Sequence, residues 1–279
     1  MKDSKVKYPI TNPLVFAIIM QDPALCQELL ERVLPGRKVR EIRFAHPAES
    51  ETEKTIIPGL YAKSVRLDVL FDDGEAWYDV EMQVQQQSYL PLRGRYYQAA
   101  MDINQLHAGA EYSELKPSYV IFLCTFDYYG MDEPCYFFEK FNVKNSLPYG
   151  DGTYTIILNT RCPREKVPSP LKEFFSYVND QEVSEDDPFI ERIHRLVEEL
   201  NGRKEIEQIM TLEEELEVRY NIGKKEGRQE GLAEGRQEGL TEGEQNAARK
   251  AARRMKAKCF DEKDIAEITG LTKEEISKL

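Results

Sequence analysis

Cysteine is scarce and scattered. The five cysteines, Cys26, Cys124, Cys135, Cys162 and Cys259, are odd in number and include no Cys-x-x-Cys pair. That argues against a disulfide scaffold, a thiolate zinc site or a redox dithiol, and leads us to expect a reducing compartment. Long apolar runs are missing too. LVFAIIM, near the N-terminus, ends at Gln21 and Asp22, too short for a membrane span or a signal h-region. A soluble, cytoplasmic protein without a membrane partner is the expectation. The three histidines, His46, His107 and His194, stand far apart, and the sequence contains neither a G-x-S-x-G elbow nor a Walker-type loop. Hydrolase triads and nucleotide binding therefore lack support. Positive charge is in deficit: 38 Lys and Arg face 50 Asp and Glu, for a net charge of −12. Spread evenly, that balance would repel nucleic acid, so any phosphate-binding role requires a local basic patch.

What is present suits a folded domain with an appendage. A length of 279 residues with 41% hydrophobic content supports a real core. Aromatic residues concentrate between Tyr61 and Tyr177, and the stretch after Asn221 is polar, small and charged, so the core is expected in the first two thirds. Asp22-Pro23 reads as an N-cap followed by proline at the first helical position, and Pro35-Gly36 as the stop. Strand signals follow in residues 39–44, 119–126, 135–143 and 153–158, a helix in 91–106, and helical periodicity from Leu171 onwards. This order predicts an α/β or α+β domain built on a mixed sheet.

The tail has a different pattern. Gly223, Gly227, Gly231, Gly235, Gly239 and Gly243 recur every four residues, and Glu226, Glu230, Glu234, Glu238 and Glu242 form a parallel column. Each glycine costs up to about 1 kcal/mol against alanine in a helix, and like charges at i, i+4 repel. Two readings stay open: a flexible charged linker, or a helix made stable by close packing of its glycine stripe on another helix. The second implies a homo-oligomer joined through the C-terminal helical tail. Residues 247–258 are strongly basic, and a short helix-turn-helix-like pair follows. Its second helix would be brief and would open on Glu274 and Glu275, which suits a helical docking element better than a major-groove reader.

The stretch SVRLDVLFDDGEAWYDVEMQVQ, residues 64–85, reads as a hairpin. With Asp73-Gly74 as a two-residue turn, Asp72 would pair with Glu75, Asp68 with Asp79, and Arg66 with Glu81. One face would carry Arg66, Asp68, Asp79, Glu81 and Gln83, the other Leu67, Val69, Phe71, Tyr78, Val80 and Met82. A polar face of this kind is either solvated or a place where Asp68 and Glu81 hold one hard cation. On the helix that follows, Arg95, Gln98 and Asp102 share a face, and Arg93 and Arg95 stand near its start as candidate phosphate contacts.

RLDVLFDDGEAWYDVEMQ, followed by LPLRGRYYQAAMDINQL and ELKPSYVIFLCTFD, resembles the recombination-promoting nuclease and transposase family of the PD-(D/E)XK nuclease superfamily. The similarity runs from TNPLVF to the glycine-repeat tail. It implies a restriction-endonuclease-like α/β fold, a mixed sheet flanked by helices, with a C-terminal helical, glycine-repeat tail. It also implies a Mg²⁺-dependent (or Mn²⁺-dependent) DNA endonuclease associated with recombination or transposition. Asp68 matches the superfamily aspartate and Glu81 the acid of the (D/E)XK element, and Gln83 stands where lysine is expected. Asp68, Glu81 and the main-chain carbonyl of Met82 would ligate the metal, and Gln83 would orient a water. Arg93, Arg95 and Gln98 would contact nucleic acid. The alternative is a nuclease-like fold that does not cleave and serves as an assembly or nucleic-acid-binding module. The expected organisation is a nuclease-like domain over 1–180, a helical extension over 186–222, the glycine repeat over 223–246, and a basic segment with a small helical hairpin over 247–279.

Overall fold

The structure, a computed structural model, describes residues 6–44, 54–56, 65–67, 69–106 and 109–279. Two compact units divide at Ile206 and Glu207. In the first, helices α1 (Pro13–Ile19) and α2 (Pro23–Val33) begin as their sequence dictates. The carboxamide of Asn12 accepts from the N–H groups of Leu14 and Val15, and the carboxylate of Asp22 from those of Ala24 and Leu25. Each cap thus satisfies donors that the first turn leaves open, and each is followed by a proline that needs none.

The strands are β1 (Arg43–Phe44), β2 (Lys54–Ile56), β3 (Val65–Leu67), β4 (Val69–Asp72), β5 (Trp77–Gln83), β6 (Ser118–Cys124), β7 (Cys135–Phe138) and β8 (Thr153–Asn159). A six-stranded mixed sheet has the order β1-β4-β5-β6-β8-β7, with β5, β6 and β8 parallel and the other neighbours antiparallel. β2 and β3 pair separately. Helix α3 (Leu90–Gln105) forms the crossover between β5 and β6. It places Leu90, Tyr97, Ala100 and Met101 over Val120, Phe122 and Ile157 on one face of the sheet. Leu29, Leu30 and Val33 of α2 meet Val80, Ile121, Leu123 and Leu158 on the other. Both faces are therefore covered, and the fold is the α/β arrangement of mixed sheet and flanking helices that the sequence predicts.

On the α2 side an aromatic row crosses the strands: Phe71, Tyr78, Tyr119 and Tyr154 stack in succession at centroid separations of 5.3, 5.2 and 4.7 Å. Arg37 ties its middle by donating to the hydroxyls of Tyr78 (2.6 Å) and Tyr119 (3.0 Å). Helices α4 (Ser169–Asp180) and α5 (Pro188–Asn201) complete this unit. Arg32 of α2 reaches the α5 N-cap, donating to both carboxylate oxygens of Asp187 at 2.6 and 2.7 Å.

The hairpin turn departs from the sequence expectation. Asp72 pairs with Trp77, Phe71 with Tyr78, Leu70 with Asp79 and Val69 with Val80, so the loop has four residues, 73–76, in place of two. Arg66 pairs with Thr55 and not with Glu81. The cause is side-chain chemistry. The Asp73 carboxylate accepts from the N–H groups of Glu75 and Ala76, and Asp72 accepts from that of Gly74. These bonds satisfy the backbone of the longer loop. The register slips by two residues, so each side chain keeps its face.

Helix α6 (Lys204–Ala257) carries the glycine repeat, which is therefore helical, and α7 (Glu262–Thr269) and α8 (Lys273–Ser277) follow. In the second unit Ala252, Ile265, Leu271 and Ile276 form a small core, and Gly270, at φ +70°, makes the left-handed turn between α7 and α8. Among the described residues no single helix is long and apolar enough to cross a membrane.

Candidate active site

β5 alternates Tyr78, Val80 and Met82 on the α2 side with Trp77, Asp79, Glu81 and Gln83 on the α3 side. The polar face is not solvated. Asp79 is fully buried, Glu81 is 2% exposed and Gln83 is 7% exposed. A carboxylate in such a place needs a partner, and α3 delivers it. Arg93 donates through Nη2 to Oε2 of Glu81 at 3.0 Å and through Nη1 to Oε1 of Gln83 at 2.8 Å. Nε2 of Gln83 lies 3.4 Å from the same Glu81 oxygen, which closes the ring.

The guanidinium is itself positioned by Tyr97, one turn along α3, whose hydroxyl accepts from Nε at 3.1 Å and from Nη2 at 2.7 Å. Burial, and next the charge of Glu81, push the Tyr97 hydroxyl up to about 12. It stays protonated at neutral pH and is not a general base. Cys124, across the ladder from Gln83, is pushed up to about 12 by burial, so no thiolate stands beside the cluster. Close approach of α3 to the sheet rests on Gly94, where a Cβ would stand 3.3 Å from Phe122 and 3.5 Å from Thr155. The residue beside Arg93 thus has to be small.

Glu81, Gln83 and Arg93 come together; Arg95 and Gln98 do not join them. Gln98 is buried and donates to the main-chain carbonyl of Tyr154 at 2.8 Å, and Arg95 is exposed. On α2, Glu28 pairs with Arg32, and Glu31 accepts from Gln27. Asp68, His46 and His107 lie outside the described residues. Sequence reasoning gave Arg93 a phosphate contact and missed its inward pairing and Tyr97 altogether. The available signal was the i, i+4 spacing of Arg93 and Tyr97 around a glycine on the crossover helix.

The donor chemistry of this face fits a hard divalent cation. Asp79 and Glu81 supply buried carboxylates, and Mg²⁺ prefers oxygen ligands of this kind. Among the described residues no group of three His, Cys, Asp or Glu forms a metal cluster, so a protein shell of that size needs a further donor.

Residues 14–147 match the model of a family described as PD-(D/E)XK nuclease family transposase. Over these residues the chain is similar to that family. The match takes in the whole of β5, α3 and β6, and hence the Glu81, Gln83 and Arg93 cluster. No curated protein and no solved structure matches the chain.

Proposed function

We propose that the protein is a Mg²⁺-dependent DNA endonuclease that hydrolyses phosphodiester bonds in recombination or transposition, with Mn²⁺ able to substitute. The observation that carries this reading is the buried Glu81, Gln83 and Arg93 cluster within the segment that matches a nuclease family model. Asp68, Glu81 and the main-chain carbonyl of Met82 hold the cation. When bound, the cation polarises a phosphoryl oxygen and makes a water more acidic.

The chain's own residues do the rest. Gln83 lacks the positive charge of the superfamily lysine and cannot accept a proton at neutral pH. Its carbonyl oxygen is taken by Arg93, and an N–H remains to orient the attacking water. Arg93 supplies the charge that Gln83 lacks, from the helix and not from the strand. Held by Tyr97, it neutralises Glu81 in the absence of the cation and faces developing phosphate charge in its presence.

A second reading, a non-cleaving nuclease-like module, draws on the same pair, because Arg93 already neutralises the buried Glu81 carboxylate. Supercoiled plasmid incubated with the purified protein separates the two. Conversion to nicked or linear DNA with Mg²⁺ or Mn²⁺, and not in EDTA, is the expected result. Intact plasmid under all conditions sinks the first reading in favour of the second.

A further inference from the structure

The last turns of α6 carry a feature that the cluster on β5 does not explain. Residues 245–260 contain six Lys or Arg and no Asp or Glu, in a chain of net charge −12. The structure sorts these turns into two faces. Ala248, Ala252 and Met255, at helical spacing, pack on the core formed with Ile265, Leu271 and Ile276. Arg249, Lys250, Arg253 and Arg254 are exposed. At 100° per residue, Lys250, Arg253 and Arg254 project opposite that core and Arg249 lies beside them. Among the described residues none of the four takes part in an ion pair. Lys256 is different, because its ammonium donates to the carbonyls of Ile276 and Ser277 and so closes α8.

We propose that this four-cation face of α6 binds the phosphate backbone of duplex DNA without reading its sequence. The length fits. Arg249 to Arg254 spans about 7.5 Å of helix, and duplex DNA carries one charge per roughly 1.7 Å, so about four phosphates pass that span. Counterion release then drives binding. Base reading is excluded by the neighbouring geometry, because α8 has five residues and opens on Glu274 and Glu275, too short and too acidic to enter the major groove. A lipid surface is the poorer partner. The cationic face is interleaved with alanine and offers no large apolar side chains to insert. The inference concerns a region beyond residues 14–147 and does not depend on cleavage.

The test uses the full chain in EDTA, so that hydrolysis plays no part, with a fluorescent 20-base-pair duplex of arbitrary sequence and anisotropy read across a salt series. Replacing all four residues (Arg249→Gln, Lys250→Gln, Arg253→Gln, Arg254→Gln) should weaken binding at least tenfold. It should also reduce the slope of log affinity against log salt by about 3.6, that is about 0.9 for each of the four lost phosphate contacts. A triple variant, Arg249→Lys, Arg253→Lys and Arg254→Lys, should bind within about threefold of wild type, since charge and not guanidinium geometry is at work. Helical circular dichroism should be unchanged in both, because none of the replaced side chains belongs to the core. Unchanged affinity and slope in the glutamine variant would overturn the proposal. So would wild-type protein that ignores the duplex but binds phosphatidylserine vesicles, or a lysine variant as weak as the glutamine one. Retained plasmid cleavage alongside any of these results would leave the nuclease reading standing.

Discussion

Nη2 of Arg93 lies 3.0 Å from Oε2 of Glu81, joining the crossover helix to the central strand through a carboxylate that is 2% exposed. A charge so placed is costly without its partner, and removing one member of such a pair typically costs about 3–5 kcal/mol. Arg93→Met should therefore lower unfolding free energy by about 3 kcal/mol in urea titrations and abolish plasmid nicking. Arg93→Lys should recover most of the stability and part of the activity, since it keeps the charge and loses the second arm to Gln83. Full activity in Arg93→Met would remove the arginine from the mechanism.

Glu81→Ala and Asp68→Ala should each abolish divalent-dependent nicking, and the double variant should be no slower than either single one, as expected of groups that act as a unit. Glu81→Ala also leaves Arg93 without its carboxylate, so its folding must be checked by near-ultraviolet circular dichroism. Full cleavage by a folded Glu81→Ala protein would remove the site assignment.

Gln83→Lys restores the residue type usual in the superfamily, but it does so within 3 Å of a guanidinium nitrogen. Like charges at that distance repel. The single variant should lose stability and activity, whereas Gln83→Lys with Arg93→Gln should recover both, giving a favourable coupling energy of at least about 1 kcal/mol in a double-mutant cycle. Additive losses would mean that the two side chains do not share one electrostatic role.

The start of α2 was legible because it is written locally: Asp22-Pro23 carries both the capping side chain and the proline that needs no donor. Asn12-Pro13 does the same for α1, a start that was not read from the sequence. The two faces of β5 were legible from alternation alone. The hairpin register was not, because it depends on which backbone groups Asp72 and Asp73 satisfy, and the Asp-Gly pair is compatible with either loop length. The inward pairing of Arg93 was not legible for a related reason. Helix α3 shows apolar residues on both sides, with Leu92, Tyr96 and Ile103 exposed and Tyr97 and Met101 buried, so its periodicity does not announce which face meets the sheet.

Asp187 is held below the ordinary aspartate value chiefly by the hydrogen bond from Arg32, against burial that raises it. A depressed native pKa adds stability that is complete above the unfolded value, about 3.9, and that is lost as pH falls through the native one. Asp187→Asn preserves N-capping of α5 and removes the charge, so it should cost about 2 kcal/mol at pH 7. The gap from wild type should narrow as the pH is lowered below about 4. A gap that is constant from pH 7 to pH 3 would show that the ion pair contributes no stability.

The glycine stripe permits a test of what the repeat is for. At Gly227, Gly231, Gly235, Gly239 and Gly243 an added Cβ meets nothing within 4 Å in the isolated chain, so alanine fits each site. Each replacement should stabilise the helix by up to about 1 kcal/mol. If two copies of α6 pack through this stripe, the same methyl groups hold their backbones apart. Replacing Gly231, Gly235 and Gly239 by alanine should thus raise the thermal midpoint of the helical signal while reducing self-association in sedimentation velocity. Truncation after Asn221 should abolish that association. A triple-alanine variant that is more helical and associates as strongly as wild type would exclude the stripe as the contact, and the repeat would then serve the single chain.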